Sequence, residues 1–364
     1  MKPNVLIVAA PFGFGPAVRA LLVAEGIKDI ADVSFFSDGD ACQFIEKYKS
    51  ATSSCVKGIF GQTFRTPGSL KHFDLFICIN QVPAFEHLHK LGQAGRAIFF
   101  DCILHWRTEV AQPPPNGGLA YLAEDFPGTA QYLDKKAAQR VELTAPLVWP
   151  RREIAPEGKR GITLHLGGVT SPLAPWEVMA RPTETLARQV AELARRYSLP
   201  LAIIGSAHLK RLPPLGDEVN VLGDISPQDS ATRIGNSALL ITNPGIGAVY
   251  EAMAGDTPII LLPPMNSTQL NHYDVFTAHG VAGVLQPDLA RRISMAAKTI
   301  PWNQQTQYCT KRWYEKIAIL LTRLPQVVGD LLDHENHGTR NRFLSAQRRI
   351  LAGLSQRSAI DIIR

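Results

Sequence analysis

One stretch limits the fold more than any other: Leu239 to Asn271, LLITNPGIGAVYEAMAGDTPIILLPPMNSTQLN. Leu239–Thr242 is a short apolar run, the pattern of a strand buried on both faces. Gly245 and Gly247 follow, and glycine lets a backbone turn tightly and approach a ligand closely. A helix starting near Ala248 then directs its free N–H groups and positive dipole end at that turn, the place where a phosphate binds. Glu251 lies one turn in, within reach of a hydroxyl beside the phosphate. Pro258–Pro263 supplies the next strand. Asn266, Gln269 and Asn271 place uncharged hydrogen-bonding groups at its C-terminal end. One βαβ unit thus offers contacts for a phosphate, a diol and a polyhydroxyl group, which suits a nucleotide-sugar.

The rest of the chain repeats this alternation. Val5–Ala10 reads as a strand, Pro11–Ala17 as a Gly-rich turn and Val18–Glu25 as a helix. Asp32–Ser37 is a second strand and Ala41–Lys49 a helix. Asp74–Asn80 and Ala97–Cys102 are further strands, Gln112–Gly118 is a loop, and Leu143–Val148 is the last strand of the series. The charged, Pro- and Gly-bearing segment Arg151–Gly161 marks a boundary. The pattern then restarts with strand Ile162–Leu166, ending in Gly167-Gly168. Helix Glu184–Tyr197 carries Leu186, Val190, Leu193 and Ala194 on one face. Leu201–Gly205 and Val219–Leu222 are strands, and His279–Leu285 and the helix Leu289–Lys298 close the series. From Trp302 the chain is helical and polar. The expectation is an α/β protein with two doubly wound, Rossmann-like domains facing across a cleft. These cover 1–152 and 160–325, with a peripheral helical tail over 326–364. In such folds ligands bind beyond the C-terminal strand ends. Pro11–Ala17, Gly167-Gly168 and Thr242–Gly247 all fall there.

Composition narrows the function classes. The 364 residues are 45% hydrophobic and 19% charged, ordinary for a globular protein with large cores. No apolar run approaches the ~20 residues of a membrane span. Lys2 precedes an apolar run cut off by Pro11 and Gly13, which reads as a first strand and not a signal peptide, so a cytoplasmic location is expected. The five cysteines form no CxxC pair and read as reduced core thiols. A net charge of +6 fits a small anionic substrate at least as well as nucleic acid. The basic run Arg340–Arg349 reads as a solvated helix face, so no nucleic-acid partner is expected.

The first domain holds the candidates for an acceptor site. Phe12, Gly13, Phe14 and Gly15 form its Gly-rich loop, where the plain alternative is tight packing. Arg19 reads as a surface cation on the first helix or, more sharply, as the reader of a sugar or acceptor carboxylate. Asp101 ends the strand IFFDC and is expected at the cleft mouth, with His105 four residues later beside Trp106. Either could take a proton from an acceptor, although a satisfied loop histidine is the plainer reading of His105. Asp38 is a further candidate. For a nucleobase nitrogen a strong base is less necessary, and Asn80 and Gln81 could supply neutral hydrogen bonds.

Val219–Asn271 resembles the donor half of GT-B glycosyltransferases, among them the macrolide and plant-type enzymes and the peptidoglycan N-acetylglucosaminyltransferase. The resemblance lies in Pro227-Gln228, Asn243-Pro244-Gly245-Ile246-Gly247, Glu251-Ala252, Gly255, Pro258, Pro263 and Gln269. A narrower resemblance, to the cytosylglucuronic acid synthases of nucleoside-antibiotic pathways, is carried by PFGFGPAVR (Pro11–Arg19), TNPGIGAVYEA (Thr242–Ala252) and LLPPMNSTQ (Leu261–Gln269). It implies that Ile225 and its neighbours hold the base through the backbone and that Glu251 binds the ribose. Gly245, Ile246 and Gly247 would bind the diphosphate through N–H groups, with Gly167 and Gly168 approaching from the other side. Asn243 stands where the family often has His and can still donate to a phosphate oxygen. Asn266 and Gln269 would bind the sugar. The chain departs from the family in lacking a His in the first Gly-rich loop. The implied activity is inverting, metal-independent transfer from a UDP-sugar, first of all UDP-glucuronic acid, to a small polar acceptor such as cytosine. No metal or cofactor is expected beyond the UDP-sugar co-substrate, and a homodimer is compatible with the sequence. The alternatives are a UDP-N-acetylglucosamine 2-epimerase, which needs several carboxylates at the sugar, a transferase acting on lipid-linked sugars, and a non-catalytic nucleotide-sugar-binding protein.

Overall fold

The structure is a computed structural model. It describes residues 1–11, 13–109, 117–129, 133, 141–150, 160–167, 175–332 and 337–364. The chain forms two compact units, Met1–Leu147 with Leu354–Arg364, and Val148–Gly353.

The first unit is built on a parallel sheet of seven strands: β1 (Asn4–Ala9), β2 (Asp32–Ser37), β3 (Ser54–Lys57), β4 (Leu75–Ile79), β5 (Ala97–Asp101), β6 (Ala120–Glu124) and β7 (Val141–Thr144). Their order is β3-β2-β1-β4-β5-β6-β7, with every neighbouring pair parallel. The central strands are apolar runs because both faces are covered: Leu6, Ile7, Val8, Phe76, Ile77, Phe99 and Phe100 are all fully buried. The helices are α1 (Gly15–Ile27), α2 (Gly39–Tyr48), α3 (Phe60–Thr63), α4 (Val82–Lys90) and α5 (Leu104–Glu109). Helix α1 starts three residues before the expected Val18, because Pro16 near its N-terminus presets the helical φ. β3 and β6 were not legible in the sequence. The first is a short edge strand with mixed polar residues, and the second, AYLAE, is five residues with neither an alternating nor a wholly apolar pattern. β7 ends at Thr144 and not Val148. The Ala145 N–H donates to the Arg357 carbonyl at 2.7 Å, so the chain leaves the ladder there.

The second unit holds β8 (Ile162–Leu166), β9 (Leu201–Gly205), β10 (Val219–Gly223), β11 (Leu239–Thr242), β12 (Ile259–Leu261) and β13 (Gly283–Val284). These form a parallel sheet in the order β10-β9-β8-β11-β12-β13. Its helices are α6 (Trp176–Arg196), α7 (Pro227–Asn236), α8 (Ile246–Ala254), α9 (Ser267–Ala278), α10 (Pro287–Lys298), α11 (Trp302–Leu321), α12 (Leu324–Leu332) and α13 (His337–Gly353). Helix α6 begins eight residues before the expected Glu184 and runs through Pro182. A proline removes one helical hydrogen bond, but here Met179, Pro182, Leu186 and Val190 lie on one buried face, and that packing offsets the loss.

The segment beyond 325 was expected to be a peripheral tail and is not one. Helices α12 and α13 belong to the second unit. The Gln347 amide is fully buried and donates to the carbonyls of Val281 at 2.9 Å and Thr257 at 3.3 Å. The last helix, α14 (Ala359–Ile363), belongs to the first unit. It packs on α1 at Gly26, where a Cβ would lie 2.6 Å from the Ile360 side chain. Of the expected boundary Arg151–Gly161, residues 151–159 lie outside the described residues, and the two units divide at Leu147 and Val148. Among the described residues no helix is long and apolar enough to cross a membrane.

Candidate functional site

In the second sheet the strand order reverses between β8 and β11. Crossovers leaving in opposite directions open a crevice beyond the C-terminal strand ends at such a point. Thr242 pairs in register with His165 there. The Thr242 hydroxyl lies 3.2 Å from His165 Nδ1 and donates to the Asn243 carbonyl at 3.0 Å. The turn that follows is held from several sides. Gly245 N–H donates back to the Asn243 carbonyl at 2.6 Å, His272 Nδ1 lies 2.9 Å from the Pro244 carbonyl, and the Asn243 amide reaches the Pro263 carbonyl at 3.4 Å. Gly245 is the N-cap of α8 and supplies no side-chain cap. The first N–H groups of α8 therefore have no partner within the helix. A Cβ at Gly245 would meet only the Asn243 carbonyl, at 3.9 Å, so the space in front of the turn is open. Glu251 follows Gly247 by four residues and shares its helix face. It is 8% exposed.

The remaining donor-side candidates surround this turn. Gly167 stands above His165, and a Cβ there would lie 2.9 Å from the imidazole Cε1. Ile225 is half-buried just after β10 and immediately before Ser226, whose hydroxyl accepts from Asp229 N–H and caps α7. Asn266 caps α9, its Oδ1 accepting from Gln269 N–H at 2.9 Å. Gln269 Oε1 in turn accepts from Met265 N–H at 2.9 Å. The side-chain oxygens of both residues thus serve the helix start. Gly168 lies outside the described residues, as does Phe12 of the first unit.

In the first sheet the order reverses between β1 and β4. Gly13, at φ +68°, and Gly15 follow β1, and a Cβ on either would meet nothing within 4 Å. Phe14 stacks on Phe44 with ring centroids 4.7 Å apart. Across the reversal Asn80 adopts φ 55°, and its Oδ1 accepts from Cys102 N–H at 2.8 Å. Asp38 Oδ1 caps α2 by accepting from Gly39 N–H. Asp38-Gly39-Asp40 has the Asp-x-Asp form of a metal-binding sequence. Among the described residues, however, no three His, Cys, Asp or Glu side chains gather into a metal site.

Three expectations for this unit are corrected. Arg19 is neither a surface cation nor open to a ligand's carboxylate. It is 4% exposed and forms a fork with Glu124 at 3.0 to 3.3 Å, and Glu124 also accepts from Leu147 N–H at 2.7 Å. Asp101 is wholly buried, not at a cleft mouth. Its carboxylate accepts from Arg107 Nε at 2.8 Å, the Tyr121 hydroxyl at 2.6 Å and Ile103 N–H at 3.0 Å. Burial, then the Asp101 charge, pushes the Tyr121 phenol far above its ordinary range. Burial alone would lower Arg107, but the same carboxylate raises it, so the guanidinium stays charged. His105 is also fully buried, its ring stacked on Phe126 at 3.9 Å and 17°. A group that takes a substrate proton must come within hydrogen-bond reach of it, and in this structure both Asp101 and His105 are closed off from the surface.

Two residues of this crevice were missed by sequence reasoning, His165 and His272. For His165 the signal was present, an imidazole in the otherwise largely apolar strand ITLHL just before Gly167. Burial pushes its pKa down to about 4, so the ring is neutral near pH 7.

No family model matches the chain, and no curated protein matches its sequence. Solved structures do resemble it along its whole length. Phytolacca americana UGT2, complexed with UDP-2fluoro-glucose and pterostilbene, has a TM-score of 0.60 at 11% identity, covering 100% of this chain and 98% of that one. TcCGT1 in complex with UDP has a TM-score of 0.60 at 12% identity, covering 100% and 97%. The spinosyn rhamnosyltransferase SpnG has a TM-score of 0.57 at 12% identity, covering 100% and 99%. At such identities the likeness is one of architecture: with its two doubly wound α/β units, this chain has the GT-B fold.

Proposed function

We propose that this protein is a glycosyltransferase that moves a sugar from a UDP-sugar to a small polar acceptor. The observation that carries the reading is the turn Asn243–Gly247. It stands at the reversal of the second sheet, opens onto free space at Gly245, and is followed by an uncapped helix start with Glu251 four residues beyond Gly247. The N–H groups of Ile246 and Gly247 and the helix dipole would hold the diphosphate and stabilise it as it departs. A metal ion is then not required. Glu251 would bind the ribose hydroxyls, and the backbone at Ile225 the base. Asn266 and Gln269 would meet the sugar through their amide N–H₂ groups, because their oxygens already serve the start of α9.

The first unit would bind the acceptor at Gly13–Gly15 and across the reversal at Asn80 and Gln81. With Asp101 and His105 committed to the interior, an acceptor nitrogen that needs no strong base fits this unit better than an alcohol does. The segments PFGFGPAVR, TNPGIGAVYEA and LLPPMNSTQ support cytosine as that acceptor and UDP-glucuronic acid as the donor. Direct displacement at the anomeric carbon would invert its configuration.

Titration calorimetry with UDP tests the donor site. The unaltered protein is expected to bind UDP. Glu251→Ala is expected to weaken binding by roughly 1–3 kcal/mol, about 5- to 150-fold, as for a lost hydrogen bond to a charged group. A protein that binds no UDP retains only the fold as its link to these enzymes. Release of UDP from UDP-glucuronic acid on addition of cytosine tests the finer reading.

A further inference from the structure

His165 stands at the sheet reversal of the second unit, and nothing above gives it a task. Its hydrogen bonding fixes its tautomer. The Asn243 carbonyl can only accept, so Thr242, 3.0 Å away, spends its single hydroxyl proton there. Thr242 must then accept from His165 Nδ1 at 3.2 Å, which places the ring proton on Nδ1. Nε2 is left with a lone pair, and Nδ1 is the one ring nitrogen that meets a hydrogen-bond partner among the described residues. This edge of the ring lies under the Gly167 turn: a Cβ on Gly167 would be 2.9 Å from Cε1 and 3.2 Å from Nε2. The ring is neutral because the half-buried position withdraws it from water. No neighbouring charge contributes to its low pKa.

A lone pair facing an incoming diphosphate would repel it, but the arrangement can reverse at little cost. The Asn243 carbonyl also accepts from Gly245 N–H at 2.6 Å, so it keeps a donor if the Thr242 hydroxyl turns away. We infer that binding of a diphosphate at the Asn243–Gly247 turn switches His165 from its Nδ1–H to its Nε2–H tautomer, and that Nε2–H then donates to a diphosphate oxygen. The Nδ1 proton leaves to water, Nε2 takes one from water, and the Thr242 hydroxyl rotates to donate to Nδ1. Protons balance and the ring stays neutral. His165 is thereby a binding residue for the anionic part of the ligand, with no part in recognising base or sugar. The inference rests on the reading of this turn as a diphosphate site.

Ring ¹⁵N spectra of the full chain test it, with the His165 signals assigned by comparison with His165→Asn and binding followed in parallel by calorimetry. The probes are uridine, UDP and inorganic pyrophosphate. The expected result is an Nδ1–H pattern in the free protein and with uridine, changing to Nε2–H with UDP and with pyrophosphate. His165→Asn is expected to weaken UDP at least tenfold while leaving uridine unchanged. If UDP binds and the His165 signals do not move, or move to the imidazolium pattern, the inference is overturned and the donor-site reading stands. If pyrophosphate switches the tautomer but UDP does not bind, the inference stands and the UDP-sugar reading falls. If neither ligand binds, both fall.

Discussion

Substituting Asn for Asp101 separates a structural carboxylate from a catalytic one. In the folded first unit this carboxylate is wholly buried and takes three hydrogen bonds, from Arg107, Tyr121 and Ile103. Asn keeps one oxygen for Ile103 N–H, so the loss falls on the other two partners. The Arg107 guanidinium is 5% exposed and would be left in the interior without its counter-charge. Removing one partner of a buried pair costs about 3–5 kcal/mol, a large share of the ~5–15 kcal/mol that holds a typical domain together. Urea unfolding followed by tryptophan fluorescence reads this directly, since Trp106 is buried beside Arg107. The expected outcome is a lower midpoint for Asp101→Asn with UDP affinity unchanged below the transition. The triple variant Asp101→Leu, Arg107→Met, Tyr121→Phe, which removes the carboxylate together with the guanidinium and hydroxyl that meet it, is expected to recover most of the loss. An Asp101→Asn protein that unfolds at the unaltered midpoint but no longer turns over substrate would refute this reasoning and return Asp101 to the role of base.

Other expectations come from single sites. Gly245→Ala should leave stability within about 0.5 kcal/mol, since the site is open, yet weaken UDP at least tenfold by placing a methyl group in front of the helix start. Gly283→Ala, whose Cβ would lie 2.9 Å from Val327 Cγ1, should cost about 1–3 kcal/mol by overpacking. Equal melting behaviour for the two variants would count against both assignments. His165 has a folded pKa of about 4 against 6.5 in the unfolded chain, so between these values the unfolded state holds more protons and stability falls on acidification. From pH 7 to pH 5 this one group should remove about 2 kcal/mol, and His165→Asn should be spared that share. Parallel urea midpoints at the two pH values decide it, and equal losses would exclude the buried neutral ring. Gly26→Ala should loosen the docking of α14 on α1, and Ile360→Ala should restore it, because the clash is with the Ile360 side chain alone. Thermal melts of the single and double variants show whether the pair couples.

The crevice of the second unit was largely legible because its determinants are local. A buried strand, a glycine turn and a helix start follow one another within a dozen residues, and each leaves its own pattern. The first unit was misread at three residues, and the errors share one source. Strand β6 was not seen, and it supplies Tyr121 to Asp101 and Glu124 to Arg19, while Phe126 just after it receives His105. Without those partners, Arg19 read as a surface cation or a carboxylate reader, Asp101 as a group at a cleft mouth, and His105 as a loop histidine or a base. A polar residue announces itself in a sequence, but the residue that satisfies it from across a sheet does not. His272 was missed for the same reason, since its partner is a carbonyl 28 positions away.

The return of Leu354–Arg364 to the first unit has a consequence for biosynthesis. A chain emerges from the ribosome N-terminus first, and domains generally fold in that order. Here the unit begun first must wait for Leu354–Arg364, which follow the whole of the second unit. Ser355 N–H reaches Asp125 at 2.8 Å, the Arg357 carbonyl receives Ala145 N–H, and Arg364 pairs with Asp29 at 2.6 Å, and none of these contacts exists until the whole of Val148–Gly353 has been made. Val148–Gly353 is complete earlier. A stop ahead of Leu354 or a bulky insertion within Leu354–Arg364 would therefore injure the unit that begins at Met1 and leave Val148–Gly353 whole.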